Sequence, residues 1–533
     1  MLPEGSGNCQ RIDGVSAERQ VLAAVGSIGA ATLASRVLGF VRDMVIALAF
    51  GAGPVTDAFF VAYRIPNILR RLLAEGALST AVVPVFTEYA SSRSREEFVR
   101  MARAVLGAAL LVLAATTLAG IAVAPGLLRL IAPGFAARGD QADLAVLLTR
   151  VMFPSLFLVG LSALAMGALN TFGRFFASAF GPAVSNVGII GGVLLGARWL
   201  DPPVLGLAVG VLLGALGQLL IQAPSLVRAD LLLAPSLEPR HPALGRVARL
   251  LVPAVFGLAA VQVMVFVNTQ LGTLLPPGSI SFLTYADRVM EFPLGVFAIA
   301  LASASLPAMS RQAAAGELRA LATTLNFTLR VALAIAVPAT VGLVLLRTPI
   351  VRVLFERGRF GPADTAATAE ALLWYAVGLA GLSVARIAAQ AFYALRAPGT
   401  AVRIGFVSVG ANVVAALGLM GPMGHGGLAL ATSIGGAVNA LLLLWMARRR
   451  LGALGGRALL ASLGRTAAAS APLAAWCAVA VWAWPARPPV PVDVAWLGVA
   501  VAGGALVYAA SARALAPAEF AALRGILPVG RRR

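Results

Sequence analysis

Lysine is absent from all 533 residues, so the 42 basic side chains are arginines. A phosphate-binding loop needs a lysine on the nucleotide phosphates and a Schiff-base enzyme needs an amine, so neither chemistry fits this chain. Transport driven by ATP on this polypeptide is not expected, nor is any enzymatic activity, because nothing supplies a nucleophile or an activated water. Two cysteines (Cys9 and Cys477) and two histidines (His241 and His425) are too few and too scattered for a thiolate or imidazole metal cluster. They are read as structural or incidental, and no metal or other cofactor is expected. Charge of either sign is scarce at 12%, where a soluble domain carries roughly a quarter.

What is abundant is apolar. Hydrophobic residues make up 59% of the chain and the mean hydropathy is +0.89, which defines an integral membrane protein. A crossing helix needs about 20 apolar residues, so with its connections this length allows about 13 to 17 spans. Fourteen segments can be marked, the first over 21–50, the second over 56–90 and the last over 494–513. The fold class expected is therefore an all-α polytopic membrane protein of about 14 transmembrane helices. Residues 1–20 read as a cytoplasmic tail and not as a cleavable signal, because the apolar run from Val21 outlasts a signal-peptide core. A net charge of +20 would suggest nucleic acid in a soluble protein, but here arginines collect at the ends of apolar segments, as the positive-inside rule requires.

Those arginines set the expected topology. The connections after spans two, six and twelve carry Arg93, Arg95 and Arg100, then Arg228, Arg240, Arg246 and Arg249, then Arg448, Arg449, Arg450, Arg457 and Arg465. Connections after spans one, seven and eleven carry none, so both termini are expected in the cytoplasm. The stretch 347–364 breaks the pattern: it holds Arg347, Arg352, Arg357 and Arg359 where an external loop belongs, which fits either an amphipathic interfacial turn or a span count that is off by one in this region.

The chain also repeats itself. Gly160-Leu161-Ser162 recurs as Gly381-Leu382-Ser383 and Gly206-Leu207-Ala208 as Gly427-Leu428-Ala429, both at a shift of 221, while Arg64 nearly meets Arg288 at 224. Two parallel six-helix repeats around a central cavity are expected, plus two C-terminal helices. The boundaries are 21–228 for the first bundle, 229–245 for a cytoplasmic linker, 246–447 for the second bundle, 448–463 for a cytoplasmic loop, 464–513 for helices 13 and 14, and 514–533 for a basic tail.

Ionised groups inside a span cost about 2.5 to 3.5 kcal/mol each and are usually paired or wet. Here they concentrate in three spans. The first holds Arg36, Arg42 and Asp43, with Arg36, Gly39 and Asp43 on one helical face. The second holds Asp57, Arg64, Arg70, Arg71 and Glu75, the last two an i, i+4 pair, with Pro66 a candidate helix end. The eighth holds Asp287, Arg288 and Glu291, ahead of a break at Pro293. Arg150 and Arg386 stay unassigned. Guanidinium binds phosphate through planar, bidentate hydrogen bonds and keeps its charge when desolvated, so a cavity of arginines points to an anionic phosphate or pyrophosphate.

These segments resemble a family. Ser35-Arg36-Val37-Leu38-Gly39-Phe40-Val41-Arg42-Asp43, Thr56-Asp57-Ala58-Phe59-Phe60, the run from Pro66 to Ala77 and Tyr285-Ala286-Asp287-Arg288-Val289-Met290-Glu291-Phe292-Pro293 are similar to the MurJ/MviN lipid II flippases of the multidrug/oligosaccharidyl-lipid/polysaccharide exporter superfamily. The resemblance implies a bacterial inner-membrane protein that moves the undecaprenyl-pyrophosphate-linked disaccharide-pentapeptide of peptidoglycan synthesis from the cytoplasmic to the periplasmic leaflet by alternating access. It implies that Arg36, Arg42, Arg70 and Arg288 bind the substrate, with Asp43, Asp57, Arg64, Arg71, Glu75, Asp287 and Glu291 supporting them, and that helices 13 and 14 form a groove for the lipid tail. The partners expected are lipid II and membrane lipids, with the membrane potential or an ion gradient as the energy source. The alternatives are another exporter of the superfamily, carrying polysaccharide units or cationic drugs, and a non-transporting scaffold for cell-wall enzymes.

Overall fold

The structure, a computed structural model, describes residues 33–72, 79–174, 176–231, 233–485 and 489–526. Every regular element among them is helical, as a chain must be that satisfies its own backbone groups in hydrocarbon. Two compact units divide it: residues up to 46 with 58–131 and 135–259, and residues 47–57 with 132–134 and everything from 260 on.

The first unit contains most of α1 (residues 33–50) and of α2 (Pro54–Leu69), then α3 (Ser79–Ser92), α4 (Arg95–Ile131), α5 (Gly139–Met152), α6 (Pro154–Thr171), α7 (Phe176–Trp199), α8 (Leu205–Leu220), the short α9 (Ala223–Val227) and the first part of α10 (Pro242–Thr273). Lipid gives helices no hydrophobic reason to associate, so close packing has to hold them, and small residues permit it. The α7–α8 pair shows how. A methyl group on Gly192 or Gly196 would run into the backbone of Gly206, and one on Gly188 into that of Gly214. A second centre packs Val82, Val85 and Phe86 of α3 against Phe98, Met101 and Val105 of α4 and Leu164 of α6.

The second unit continues with α11 (Ser279–Pro293), a π turn over Leu294–Ala298, α12 (Ile299–Ala314), α13 (Leu318–Leu345), α14 (Arg347–Phe355), α15 (Pro362–Val377), α16 (Leu379–Ala394), α17 (Pro398–Leu451), α18 (Gly456–Trp482), α19 (Val490–Leu515) and α20 (Pro517–Ile526). Its core joins Leu325 and Leu329 of α13 to Ile387 and Phe392 of α16 and Leu443 of α17. The last helix is tied down by one carboxylate: Glu519, 2% exposed, accepts hydrogen bonds from Arg330 of α13 at 2.5 and 3.2 Å and from Arg465 of α18 at 3.1 Å.

Several expected spans are broken. The segment 56–90 contains two helices, α2 and α3, and Pro66 lies inside α2 without ending it; a π turn over 70–72 follows, one way a helix absorbs the backbone bond that proline removes. Likewise Pro293 starts no break: the chain passes through a π turn into α12. The offset of 224 that carries Arg64 to Arg288 also carries the first π turn onto the second. Span four divides at Phe153 between α5 and α6 but still runs as one span, whereas its repeat-mate, span ten, bends by 44° between α15 and α16. Spans eleven and twelve form one run, α17, interrupted at Gly424 with φ 55° and ψ −131°. Among the described residues, seven helices are long and apolar enough to cross a bilayer, or eight with the bent α15–α16 pair. That count runs below fourteen because α17 enters as one helix and because spans one, two, seven, eight and thirteen are not among the helices that qualify.

Within each unit the connections sort by parity. In the second unit, Tyr285 Oη donates to Gly51 O at 3.3 Å, Arg359 N to Leu48 O at 3.0 Å and Gly134 N to Thr273 Oγ1 at 3.3 Å. The chain after spans one, three, seven and nine therefore meets at one end. Connections after even spans meet likewise: Arg246 pairs with Glu88 at 2.6 Å and Arg100 with Glu238 at 2.9 Å in the first unit, and Asn326 donates to Leu454 O at 2.7 Å in the second.

Candidate functional site

In the first unit the predicted charged face of α1 acquires a partner that sequence reasoning did not single out. Arg42 donates from Nε and Nη2 to Asp43 Oδ1 at 2.9 and 2.7 Å and from Nη1 to Asn186 Oδ1 of α7 at 3.0 Å. The Asn186 amide donates in turn to Ser35 O at 3.1 Å. It therefore spans almost two turns of α1, lying over Gly39, where a Cβ would just reach van der Waals contact with it. Asp43 is 3% exposed. The guanidinium is thus fixed by a carboxylate and an amide inside apolar helices, the arrangement that lets a charge persist there. The signal was available: Asn186 is a lone amide in the middle of the apolar run 177–199. Arg36 is exposed and makes no hydrogen bond or ion pair with another described residue.

Further along the same unit, Arg64 is half-buried and Arg71 exposed, while Arg70 Nε donates to Asn67 Oδ1 at 3.0 Å. Arg70 and Arg71 both lie in the π turn. Glu75 lies outside the described residues, so its pairing with Arg71 does too. Arg150 and Arg386 are exposed.

In the second unit the controlling residue is Asp57. It is 1% exposed, and its carboxylate accepts from Gly278 N at 2.6 Å, from Ser281 N at 2.8 Å and from Ser281 Oγ at 2.6 Å. Those donors are the first backbone groups of α11, which lack partners within their own helix. Gly278, the N-cap, has φ 93°, a conformation glycine adopts without cost. Asp57 also lies in the first turn of α2, so the positive ends of two helices share one carboxylate. One turn further along α11, buried Tyr285 packs on Phe355 and Phe360. Then comes Arg288, whose Nη1 donates to Glu291 Oε2 at 2.9 Å, the i, i+3 pair expected from spacing. Asp287 beside it is half-buried. Asp57 therefore fixes where α11, the helix that carries Arg288, starts.

The arginine-rich stretch 347–364 is a short helix and a turn, with most of its charges engaged. Arg352 makes a two-pronged ion pair with Asp493 of α19 at 3.0 and 2.6 Å. Arg347 donates to Val344 O at 2.6 Å and Arg357 to Val353 O at 2.9 Å, at the C-terminal ends of α13 and α14, where cations are favoured.

Buried, partnered charges within a bundle of broken apolar helices define a polytopic helical membrane transporter. A solved structure of lipid II flippase MurJ in an inward closed conformation superposes with a TM-score of 0.76 at 25% identity, covering 91% of this chain and 97% of that one. An inward-facing multidrug resistance MATE family transporter of the MOP superfamily shares the fold, with a TM-score of 0.68 at 18% identity over 79% of this chain and 96% of its own. A family model for lipid II flippase MurJ matches residues 46–487. The lipid II flippase MurJ of Burkholderia cenocepacia is 36% identical over 79% of this chain and 82% of its own length. The chain belongs to the lipid II flippase MurJ family.

Proposed function

We propose that this chain carries lipid II across the bacterial inner membrane, from the cytoplasmic to the periplasmic leaflet, by alternating access. The observation that carries the reading is the set of arginines held at fixed polar partners within apolar helices, Arg42 by Asp43 and Asn186 and Arg288 by Glu291, in a member of this family. Pyrophosphate and sugars cannot cross hydrocarbon unaided, whereas an isoprenoid tail never needs to leave it. Arg36, Arg42, Arg70 and Arg288 bind the pyrophosphate. Asp43, Asp57, Arg64, Arg71, Glu75, Asp287 and Glu291 position or neutralise them, and the helices of 464–513 accept the tail. Large apolar side chains such as Leu460, Val479 and Leu506 stand exposed on α18 and α19, which supports a lipid-facing role. Both termini are cytoplasmic, and with no lysine for a phosphate-binding loop the energy comes from the membrane potential or an ion gradient.

The test is leaflet accessibility of lipid II in cells depleted of the native flippase and supplied with variants. Arg288→Ala abolishes export while the protein still reaches the membrane, because the anion loses a charge-assisted bond of about 1.5 to 3 kcal/mol. Lysine restores the charge without the planar fork and rescues only in part. Wild-type binding and export in Arg288→Ala would remove this residue from the site.

A further inference from the structure

The stretch 347–364 carries four arginines at an end of the second unit where the turns after spans one, seven and eleven carry none, and lipid transport gives it no task. It walls a cavity of about 420 Å³. Arg347, Arg352 and Glu356 line it from α14 and the turn beyond, and Thr365 and Glu370 from α15. These charges differ in what they have left to offer. Arg352 is committed to Asp493 and lies over the Trp484 ring at 5.4 Å. Glu356 holds the Thr365 hydroxyl with Oε2 at 2.6 Å, which leaves its other oxygen to the cavity. Arg347 uses only Nη1 on Val344 O, so the Nε–Nη2 edge of its guanidinium has no partner among the described residues. Glu370 is half exposed, with His425 Nε2 3.8 Å from its Oε2 and engaged at 2.9 Å with Ala367 O.

What remains is one guanidinium edge and two carboxylates, carried by helix ends that are themselves tied down. A free guanidinium edge recognises a carboxylate through two parallel hydrogen bonds; a carboxylate recognises an ammonium group. The volume falls toward the lower end of the roughly 300 to 1,000 Å³ of small-molecule sites, room for two or three small residues. We propose that this cavity binds a zwitterionic peptide group, its carboxylate on Arg347 and its ammonium against Glu370 and Glu356. The inference rests on the proposed function and topology for its setting: this end then faces outward, where the peptide of a newly exported precursor, or a free peptide outside the membrane, presents that chemistry.

Calorimetry on the full chain in nanodiscs tests it with three probes: alanyl-alanine, its N-acetyl form and its C-terminal amide. Alanyl-alanine binds the wild type, each blocked probe binds at least tenfold more weakly, and Arg347→Ala and Glu370→Gln each weaken alanyl-alanine by a similar factor. No binding by the wild type, or equal binding of all three probes, overturns the site. Because the blocked probes act on unaltered protein, a misfolded variant cannot decide the result. Lipid II export into proteoliposomes then separates the sources: inhibition by excess alanyl-alanine assigns the cavity to the cargo's peptide, and unchanged export with intact binding assigns it to a free peptide. Wild-type export without dipeptide binding defeats the site and leaves the transport reading standing, whereas dipeptide binding without export does the reverse.

Discussion

Replacing Asp57 separates a positioning role from contact with substrate. Its carboxylate takes three hydrogen bonds from Gly278 N, Ser281 N and Ser281 Oγ at 2.6 to 2.8 Å, at 1% exposure. In Asp57→Ala the Ser281 hydroxyl can turn to another acceptor, but two buried backbone donors at the start of α11 lose theirs, at about 1 to 3 kcal/mol each. The loss is therefore about 2 to 6 kcal/mol, enough to fray the first turn of α11. Asp57→Asn keeps one acceptor oxygen for Ser281 but turns an amide donor toward Gly278 N, so it loses roughly half as much. Hydrogen exchange of the purified protein in detergent reads the effect where it arises. Residues 278–284 exchange faster in Asp57→Ala and to an intermediate degree in Asp57→Asn, and lipid II export falls in the same order. Native protection of 278–284 in Asp57→Ala, with export lost, would refute the capping argument and make Asp57 a substrate contact.

Removing the Asn186 amide as Asn186→Leu frees Arg42 from one of its two partners and takes away the amide donor to Ser35 O; lipid II binding weakens about 5- to 10-fold with normal membrane insertion, and wild-type binding would dismiss Asn186 as a positioning group. Gly192→Leu forces α7 from the backbone of Gly206 and lowers the thermal midpoint by several degrees, the overpacking cost being about 1 to 3 kcal/mol or more; an unchanged midpoint would mean that the α7–α8 contact is not tight. Burial alone would raise the Glu519 carboxyl, but the hydrogen bonds from Arg330 prevail and hold it at about 2. A depressed carboxyl stabilises in full above its ordinary value near 4.5 and loses that contribution as pH falls toward 2, so proteolysis within α20 accelerates across that window. Glu519→Gln shows the faster cleavage already at pH 7, and equal cleavage of both forms at pH 7 and pH 3 would dissociate the ion pairs from the docking of α20.

The helical, polytopic character of the chain was legible because it is a bulk property: composition and apolar run length decide it whatever the packing. Local pairs were legible for a related reason. Arg288 and Glu291 share a helix, and i, i+3 spacing brings them together without help from the rest of the chain. Breaks were less legible, since proline announces a lost backbone bond but not how the helix absorbs it. After Pro293 the answer is a π turn that carries the helix on into α12 and rotates the side chains beyond it; after Pro66 the helix runs on to Leu69 before a π turn over 70–72.

Partners contributed by distant segments were hidden for a different reason. Nothing in the spacing of Asp57 predicts that its acceptors face Gly278 and Ser281, some 220 residues away, and nothing in α1 names Asn186. A polar residue inside a span has to find something in low-dielectric surroundings, so each buried charge in such a sequence is an unfinished statement whose second half lies on another helix. The repeat narrows the search. The offset that carries Arg64 to Arg288 also superposes two proline-associated π turns, so the pattern marks equivalent backbone irregularities as well as equivalent charges. That is the expected signature of selection on helix shape, because a π turn re-aims the residues around it: the first contains Arg70 and Arg71, and the second begins six residues after Arg288.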